Sequence, residues 1–390
     1  MLSFDNTEKA FAAKSDKDLK RASLLFKMVS RPMFVNIGKS LTVLAFKLRL
    51  PIKGLVKKTI FRQFCGGENI DECKARVEEL GRSGIGTILD YSVEGKHSEE
   101  DLDKTSAEII DTTKIAKGNP MIPFCVFKLT GVARFELLEK VSEEKELTEE
   151  EKKEYLRVVQ RVDNICLNAY EADTPVFIDA EESWIQNAID HLAHTMMAKY
   201  NKQKAIVFNT VQLYRHDRLT FTKNSIENAK KNGYKIGLKL VRGAYMEKER
   251  ERAAEMNYPS PIQPDKSATD RDYNAALEFC LQHLDHVSIC AGSHNEESAL
   301  FLSQLMEKHH IAKNDKRIYF AQLLGMSDHI SYNLSADSYN VAKYVPYGPV
   351  KEVLPYLIRR AQENTSVKGQ TGRELSLIIK ERKRRKSVTG

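Results

Sequence analysis

Eight short apolar runs of β character, separated by segments of helix length, occupy the chain from Gly86 to Tyr347. They are GTILDYSV (Gly86 to Val93), PFCVFKLT (Pro123 to Thr130), PVFIDA (Pro175 to Ala180), AIVFNTVQ (Ala205 to Gln212), KIGLKLVR (Lys235 to Arg242), HVSICAGS (His286 to Ser293), RIYFAQL (Arg317 to Leu323) and NVAKYVPY (Asn340 to Tyr347). Between them lie stretches such as SWIQNAIDHLAHTMMAKY and NEESALFLSQLMEKHH, long enough for several helical turns. Eight strands alternating with helices over roughly 260 residues predict a parallel (β/α)8 barrel of the α/β class, with an open doubly wound sheet as the alternative. No GxGxxG follows the first run, which argues against a dinucleotide-binding sheet.

This pattern divides the chain into an N-terminal helical region (1–83), a barrel (84–370) and a basic C-terminal helix or tail (371–390). The charged piece SEEKELTEEEKKEY, Ser142 to Tyr155, reads as an exposed helix or loop insertion. With 390 residues, 42% hydrophobic and 29% charged, the chain can build a large core. Its six cysteines form no CxxC pair and its histidines no ligand cluster, so free thiols, a reducing compartment and no metal are expected.

Asp5 and Glu8 stand where a secretory or transit peptide is basic and acid-free, so export is not expected and a cytoplasmic location is. The apolar stretch Phe34 to Phe61 is interrupted by Lys39, Lys47, Arg49 and Lys53, and reads as an amphipathic helix packed on the domain or lying on a membrane surface. Part of the net charge of +7 gathers in KERKRRKS, Lys380 to Ser387. That run reads first as a solvated helix end, with an anionic membrane as the other reading. No aromatic platform or zinc finger accompanies it, and no nucleic-acid partner is expected.

Chemistry in such a barrel lies at the C-terminal strand ends, so polar residues late in apolar strands carry the information. Lys128 shares a face with Phe124 and Val126 by alternation. Asp179 ends the third strand; Ser183, with Glu181 and Glu182, could open the next helix. Gln212 ends the fourth. Lys239 projects from the fifth opposite to Leu238 and Leu240, with Arg242 and Gly243 just beyond, and the sixth run ends in Ser293, His294 and Asn295. Tyr344 lies in the eighth. Each has an ordinary structural explanation alone, but together they make a cationic rim suited to an anionic ligand. With no metal ligands and no nucleophile pair, a bound organic cofactor would supply the reactivity.

The helix after the eighth strand, in VPYGPVKEVLPYLIRRAQEN, gathers Val353, Leu354, Leu357, Ile358 and Ala361 on an apolar arc. Tyr356, Arg359, Arg360 and Glu363 fill a polar one. The adjacent arginines are either a solvated face paired with Glu363 or a clamp for a small carboxylate, which guanidinium groups grip bidentately.

The ordered motifs QFCGGE, FIDAEES, KLVRGAYMEKER, GSHN, QLLGM and YVPYGPVKEVLPYLIRRAQEN resemble the proline dehydrogenase family. The resemblance implies a (β/α)8 barrel whose last helix covers the mouth, FAD as cofactor, and oxidation of L-proline to Δ1-pyrroline-5-carboxylate as the first step of proline catabolism. It implies that Arg359 and Arg360, helped by Lys128, pair the proline carboxylate, while Tyr245, Leu323 and Tyr344 pack around the ring. Asp179 matches the family's active-site aspartate, and Lys239 stands with it as a catalytic candidate. Gln212, Lys239, Arg242, Gly243, Ala244, Lys266, Ser293, His294 and Glu363 fall on flavin-contact positions.

Lys239 stands where many bacterial members have arginine. The bulk of Tyr344 favours proline over 4-hydroxyproline, although hydroxyproline dehydrogenase is the nearest alternative within the resemblance. The length suggests the monofunctional form, passing electrons to a quinone and contacting a respiratory membrane through basic segments. Two alternatives outside the family are a barrel lyase or aldolase using Lys128 or Lys239 as a Schiff-base nucleophile, and a basic binding module.

Overall fold

A computed structural model describes residues 2–29, 52–93, 98–366 and 370–389. Its eight strands are β1 (Ile85–Tyr91), β2 (Phe124–Lys128), β3 (Val176–Asp179), β4 (Val207–Gln212), β5 (Ile236–Val241), β6 (Val287–Gly292), β7 (Ile318–Leu323) and β8 (Val341–Tyr347). They follow one another in chain order around a closed barrel. This is the expected (β/α)8 architecture, and each predicted run coincides with a strand whose ends shift by at most two residues.

The chain forms two compact units, residues 94–321 and residues 1–93 with 322–390. In the first, the parallel register from β2 to β7 aligns inward-facing side chains in rows. One row runs Val126, Phe177, Phe208 and Gly237. The Phe124 ring stacks on Phe177 at 4.5 Å and meets Phe208 at 5.7 Å and Tyr319 at 4.8 Å, forming an aromatic floor. Gly237 is required beneath it, because a Cβ there would lie 2.5 Å from the Phe208 ring. An apolar floor of this kind leaves polar side chains only the strand ends above it.

The charged piece from Ser142 is largely exposed and helical at both ends, the first of the two expected readings. It ends the helix Phe135–Ser142 and opens the long helix Glu149–Glu171. There Glu151 N donates to Thr148 Oγ1 at 3.2 Å and Thr148 N donates back to Glu151 Oε2 at 3.0 Å, a reciprocal capping box. Apolar side chains facing inward, such as Val158, Val162 and Ile165, are fully buried.

In the second unit, N-terminal helices and the helices Leu354–Ser366 and Gln370–Thr389 enclose one apolar core that includes Phe26, Phe64, Val353, Leu357, Leu377 and Ile378. The basic tail differs from a solvated helix end, because its charges fasten the N-terminal segment. Arg385 donates to Phe11 O at 2.9 Å, Lys14 O at 2.8 Å and Asp16 Oδ1 at 2.9 Å, and Arg384 pairs with Glu8 at 3.2 Å. Burial would raise the Glu381 carboxyl, but the two arginines bonded to it hold it down at about 2. Among the described residues no helix is long and apolar enough to cross a membrane. Most of the apolar stretch from Phe34 lies outside the described residues.

Candidate active site

One row above the aromatic floor, β2 and β3 register Lys128 beside Asp179, and β4, β5 and β6 continue with Thr210, Lys239 and Cys290. Two of the expected residues therefore become direct partners of a third. Lys128 Nζ donates to Asp179 Oδ2 at 3.1 Å, while Lys239 Nζ reaches across β4 to Oδ1. Thr210 Oγ1 also donates to Oδ1, at 3.3 Å. Lys239 is buried, with its ammonium 5.5 Å from the Phe177 ring centroid. Burial would raise the Asp179 carboxyl, but the Lys239 and Lys128 ammonium groups outweigh it and hold it at about 2. Two ammonium groups thus share one carboxylate at the strand ends, a cationic arrangement that suits an anion.

The loop after β3 spreads its polar groups to separate neighbours. Glu181 accepts from Thr130 N at 3.0 Å and Thr130 Oγ1 at 2.5 Å. Burial pushes its carboxyl up to about 7, against those two bonds and the field of Lys128, with Glu182 adding to the rise. The Glu181 carbonyl accepts from Gln212 Nε2 at 2.7 Å, which fixes the amide so that Oε1 accepts from Ala244 N at 3.3 Å. Gln212 and Ala244 are thus brought together as expected residues of one site. The helix Ser183–Tyr200 starts where DAEES suggested a start.

Arg242 anchors a second group. It donates through Nε to Asp270 at 2.7 Å, through Nη1 to Ser293 Oγ at 2.7 Å and through Nη2 to Ser298 Oγ at 2.9 Å, with Cζ 4.5 Å from the Tyr273 ring centroid. Lys266, the first residue of the helix Lys266–Gln282, pairs with the same Asp270. His294 follows Ser293 in the loop beyond β6. Gly243 and Ala244 are exposed and Tyr245 is half-buried. Gly243 has φ +145°, and a Cβ there would approach the Tyr214 ring to 2.5 Å, so both conformation and packing demand glycine. Exposed main chain beside two cations, a hydroxyl and an oriented amide fits a planar, anionic cofactor such as a flavin dinucleotide.

In the other unit, Leu323 ends β7 and packs against the apolar core, and Tyr344 is buried on β8. Its neighbour Lys343 alternates to the opposite face and is wholly buried, donating to Met326 O at 2.6 Å and Asp328 Oδ1 at 2.7 Å. This ties the QLLGM turn to β8. Arg359 and Arg360 lie together on the helix Leu354–Ser366. The polar arc drawn from the sequence needs correction: Tyr356 and Arg360 are both buried, with the guanidinium 5.1 Å from the Tyr356 ring centroid, whereas Arg359 is half-buried. The Glu363 side chain lies outside the described residues.

Sequence reasoning missed Thr210, Asp270 and Ser298, which hold expected residues in place, and Thr130, which holds Glu181. It also gave no separate role to Glu181. Thr210 alone carried a readable signal, since alternation puts it on the face of Gln212.

Fold and site together define a (β/α)8 barrel with clustered cations at its C-terminal strand ends. A family model described as proline dehydrogenase matches residues 73–373. Proline dehydrogenase 1, mitochondrial, of Dictyostelium discoideum is 34% identical over 97% of this chain and 74% of its own length. The human protein of the same name is 43% identical over 61% of this chain and 40% of its own length. Hydroxyproline dehydrogenase of Xenopus laevis is 31% identical over 96% of this chain and 88% of its own length. Proline utilization A of Bdellovibrio bacteriovorus superposes with a TM-score of 0.72 at 20% identity, covering 92% of this chain and 38% of that one. At that identity the likeness is one of fold, and the chain spans only about two-fifths of the human and Bdellovibrio chains. The chain belongs to the proline dehydrogenase family, a family of oxidoreductases.

Proposed function

We propose that the protein oxidises L-proline to Δ1-pyrroline-5-carboxylate, with FAD as hydride acceptor and a quinone as the onward electron acceptor. The observation that carries this reading, beside the family, is the Lys128, Asp179 and Lys239 cluster at the strand ends. Its two ammonium groups suit a small amino acid carboxylate. Arg359 and Arg360 clamp that carboxylate with Lys128, and Tyr245, Leu323 and Tyr344 surround the ring. Asp179 orients the two ammonium groups and does not take a proton, since it stays ionised far below neutral pH.

Gln212, Lys239, Arg242, Gly243, Ala244, Lys266, Ser293, His294 and Glu363 would hold the FAD, which would supply the hydride-accepting chemistry. Arg242 and Lys266 suit its pyrophosphate, and Gly243 lets the main chain approach it closely. The Lys239 ammonium would stabilise negative charge developing on that cofactor.

The hydroxyproline reading has one supporting observation, the likeness to the Xenopus protein. The bulk of Tyr344 disfavours it. Steady-state reduction of an artificial dye by L-proline and by 4-hydroxyproline separates the two: preference for 4-hydroxyproline would refute the assignment. A Schiff-base lyase fits less well, because an ammonium paired to an ionised carboxylate is a poor nucleophile. Relatives described as mitochondrial support peripheral contact with a respiratory membrane, while in the basic segment Lys53 and Lys57 are already paired with Glu68. Absence of salt-sensitive flotation with anionic liposomes would remove that part of the proposal.

A further inference from the structure

The helix Ser183–Tyr200 begins without a cap of its own, since Glu182 at its start makes no capping bond with its side chain. A residue from another helix supplies the missing acceptor. Ser183 N donates to Glu249 Oε1 at 2.6 Å and Ser183 Oγ donates to Glu249 Oε2 at 2.6 Å. Glu249 is fully buried in the first turn of the helix Met246–Glu255, and its own N–H donates to Tyr245 O at 2.9 Å. A buried carboxylate is costly unless its acceptors are filled, and a helix N-terminus offsets its charge. Asp or Ser at position 182 would cap the helix locally. The distant carboxylate does more, since it locks the loop after β3 to the loop after β5.

Neighbouring contacts run the same way. Lys248 pairs with Glu182, one residue from each partner of the first contact. At the other end of the short β5 loop, Gln212 Oε1 accepts from Ala244 N while Gln212 Nε2 holds the Glu181 carbonyl. The segment Gly243 to Tyr245 is therefore fixed on both sides to the loop that begins at Asp179.

We propose that the Ser183 and Glu249 clasp is a positioning device for Tyr245, setting the wall against which the substrate ring rests. This rests on the proposed function, in which Tyr245 packs on the proline ring. The clasp acts through Tyr245 and makes no contact with the carboxylate, so its loss affects ring recognition and spares carboxylate binding.

The test uses the purified flavin-loaded protein and two competitive carboxylates, cyclopentanecarboxylate with a ring and acetate without one. Glu249→Gln raises the proline KM and the cyclopentanecarboxylate inhibition constant about tenfold, the effect of one hydrogen bond to a charged group. The acetate constant and the bound flavin stay unchanged. In a Tyr245→Ala background the same substitution adds nothing further, as coupling through one residue requires. Ser183→Ala, which removes only the hydroxyl bond, shows the same selectivity and serves if Glu249→Gln does not fold. An unchanged ratio of the two constants in both variants, or full additivity with Tyr245→Ala, overturns the proposal. If neither carboxylate nor proline binds the unaltered protein, the reading of the site as a proline site falls first and takes the clasp's role with it.

Discussion

Replacing Asp179 by asparagine removes the carboxylate that compensates two ammonium groups inside the barrel. Its carboxyl lies at about 2, against 3.8 for an ordinary aspartate. A depression of about two pH units at about 1.36 kcal/mol each amounts to roughly 2 to 3 kcal/mol of native-state stabilisation at neutral pH. Asparagine also takes the paired carboxylate away from Lys239, which is buried beside an aromatic ring. Breaking a buried pair in this way costs about 3 to 5 kcal/mol. We therefore expect Asp179→Asn to lose about 3 kcal/mol in urea unfolding at pH 7.

The pH dependence has a fixed sign. A carboxyl depressed on folding stabilises the native state above its unfolded value and loses that contribution as pH falls toward its folded value. The gap between the two proteins should be constant from pH 8 to 5 and close between about pH 4 and 2. Pairing Asp179→Leu with Lys239→Met restores part of the loss, because a neutral pair of similar volume replaces a half-broken ionic one. A difference below about 0.5 kcal/mol at pH 7, the range of ordinary surface substitutions, would refute the argument.

The buried Glu181 works in the opposite direction. Its folded value near 7 lies above its ordinary 4.5, so the native state binds the extra proton and stability declines as pH rises through that window, by about 3 kcal/mol. Thermal unfolding of Glu181→Gln from pH 4 to 8 should lack this decline, and a variant curve parallel to the unaltered one would exclude Glu181 as its source. In the other unit, Lys343→Met takes the nearer cation from the buried Asp328, leaving Lys14 at 3.8 Å, and should cost about 3 kcal/mol in urea, with partial recovery on adding Asp328→Leu. Arg359→Met and Arg360→Met should each raise the proline KM by one to two orders of magnitude, about 1.5 to 3 kcal/mol for a charge-assisted contact. Unchanged KM in both would remove the carboxylate clamp.

The barrel was legible because its strands are short apolar runs and its helices long amphipathic ones, two periods that do not resemble each other. Alternation alone put Lys128 on the face of Phe124 and Val126, and the register then brings it to Asp179. Burial is harder to read than polarity. Tyr356 and Arg360 were grouped with polar neighbours, yet both bury their long side chains, since each carries an apolar body behind its polar tip. The capping box at Thr148 and Glu151 was written in the sequence as T-x-x-E and marks a helix start inside what reads as an exposed helix or loop insertion.

Glu181 and Glu249 were masked by their surroundings. The runs DAEES and MEKERER look solvated, and only tertiary contacts separate the buried carboxylates from the exposed ones. The same holds for KERKRRKS, whose arginines find their acceptors on residues hundreds of positions earlier. Asp270 and Ser298 reach Arg242 from helices far along the chain, a kind of contact that no local pattern announces.

The most direct test of the central claim is the visible absorption spectrum of the purified protein, recorded anaerobically before and after addition of L-proline. A flavin spectrum that bleaches with proline, and far less with 4-hydroxyproline, is expected. A protein that stays colourless after incubation with FAD, or a flavin spectrum that proline leaves unchanged, would contradict it.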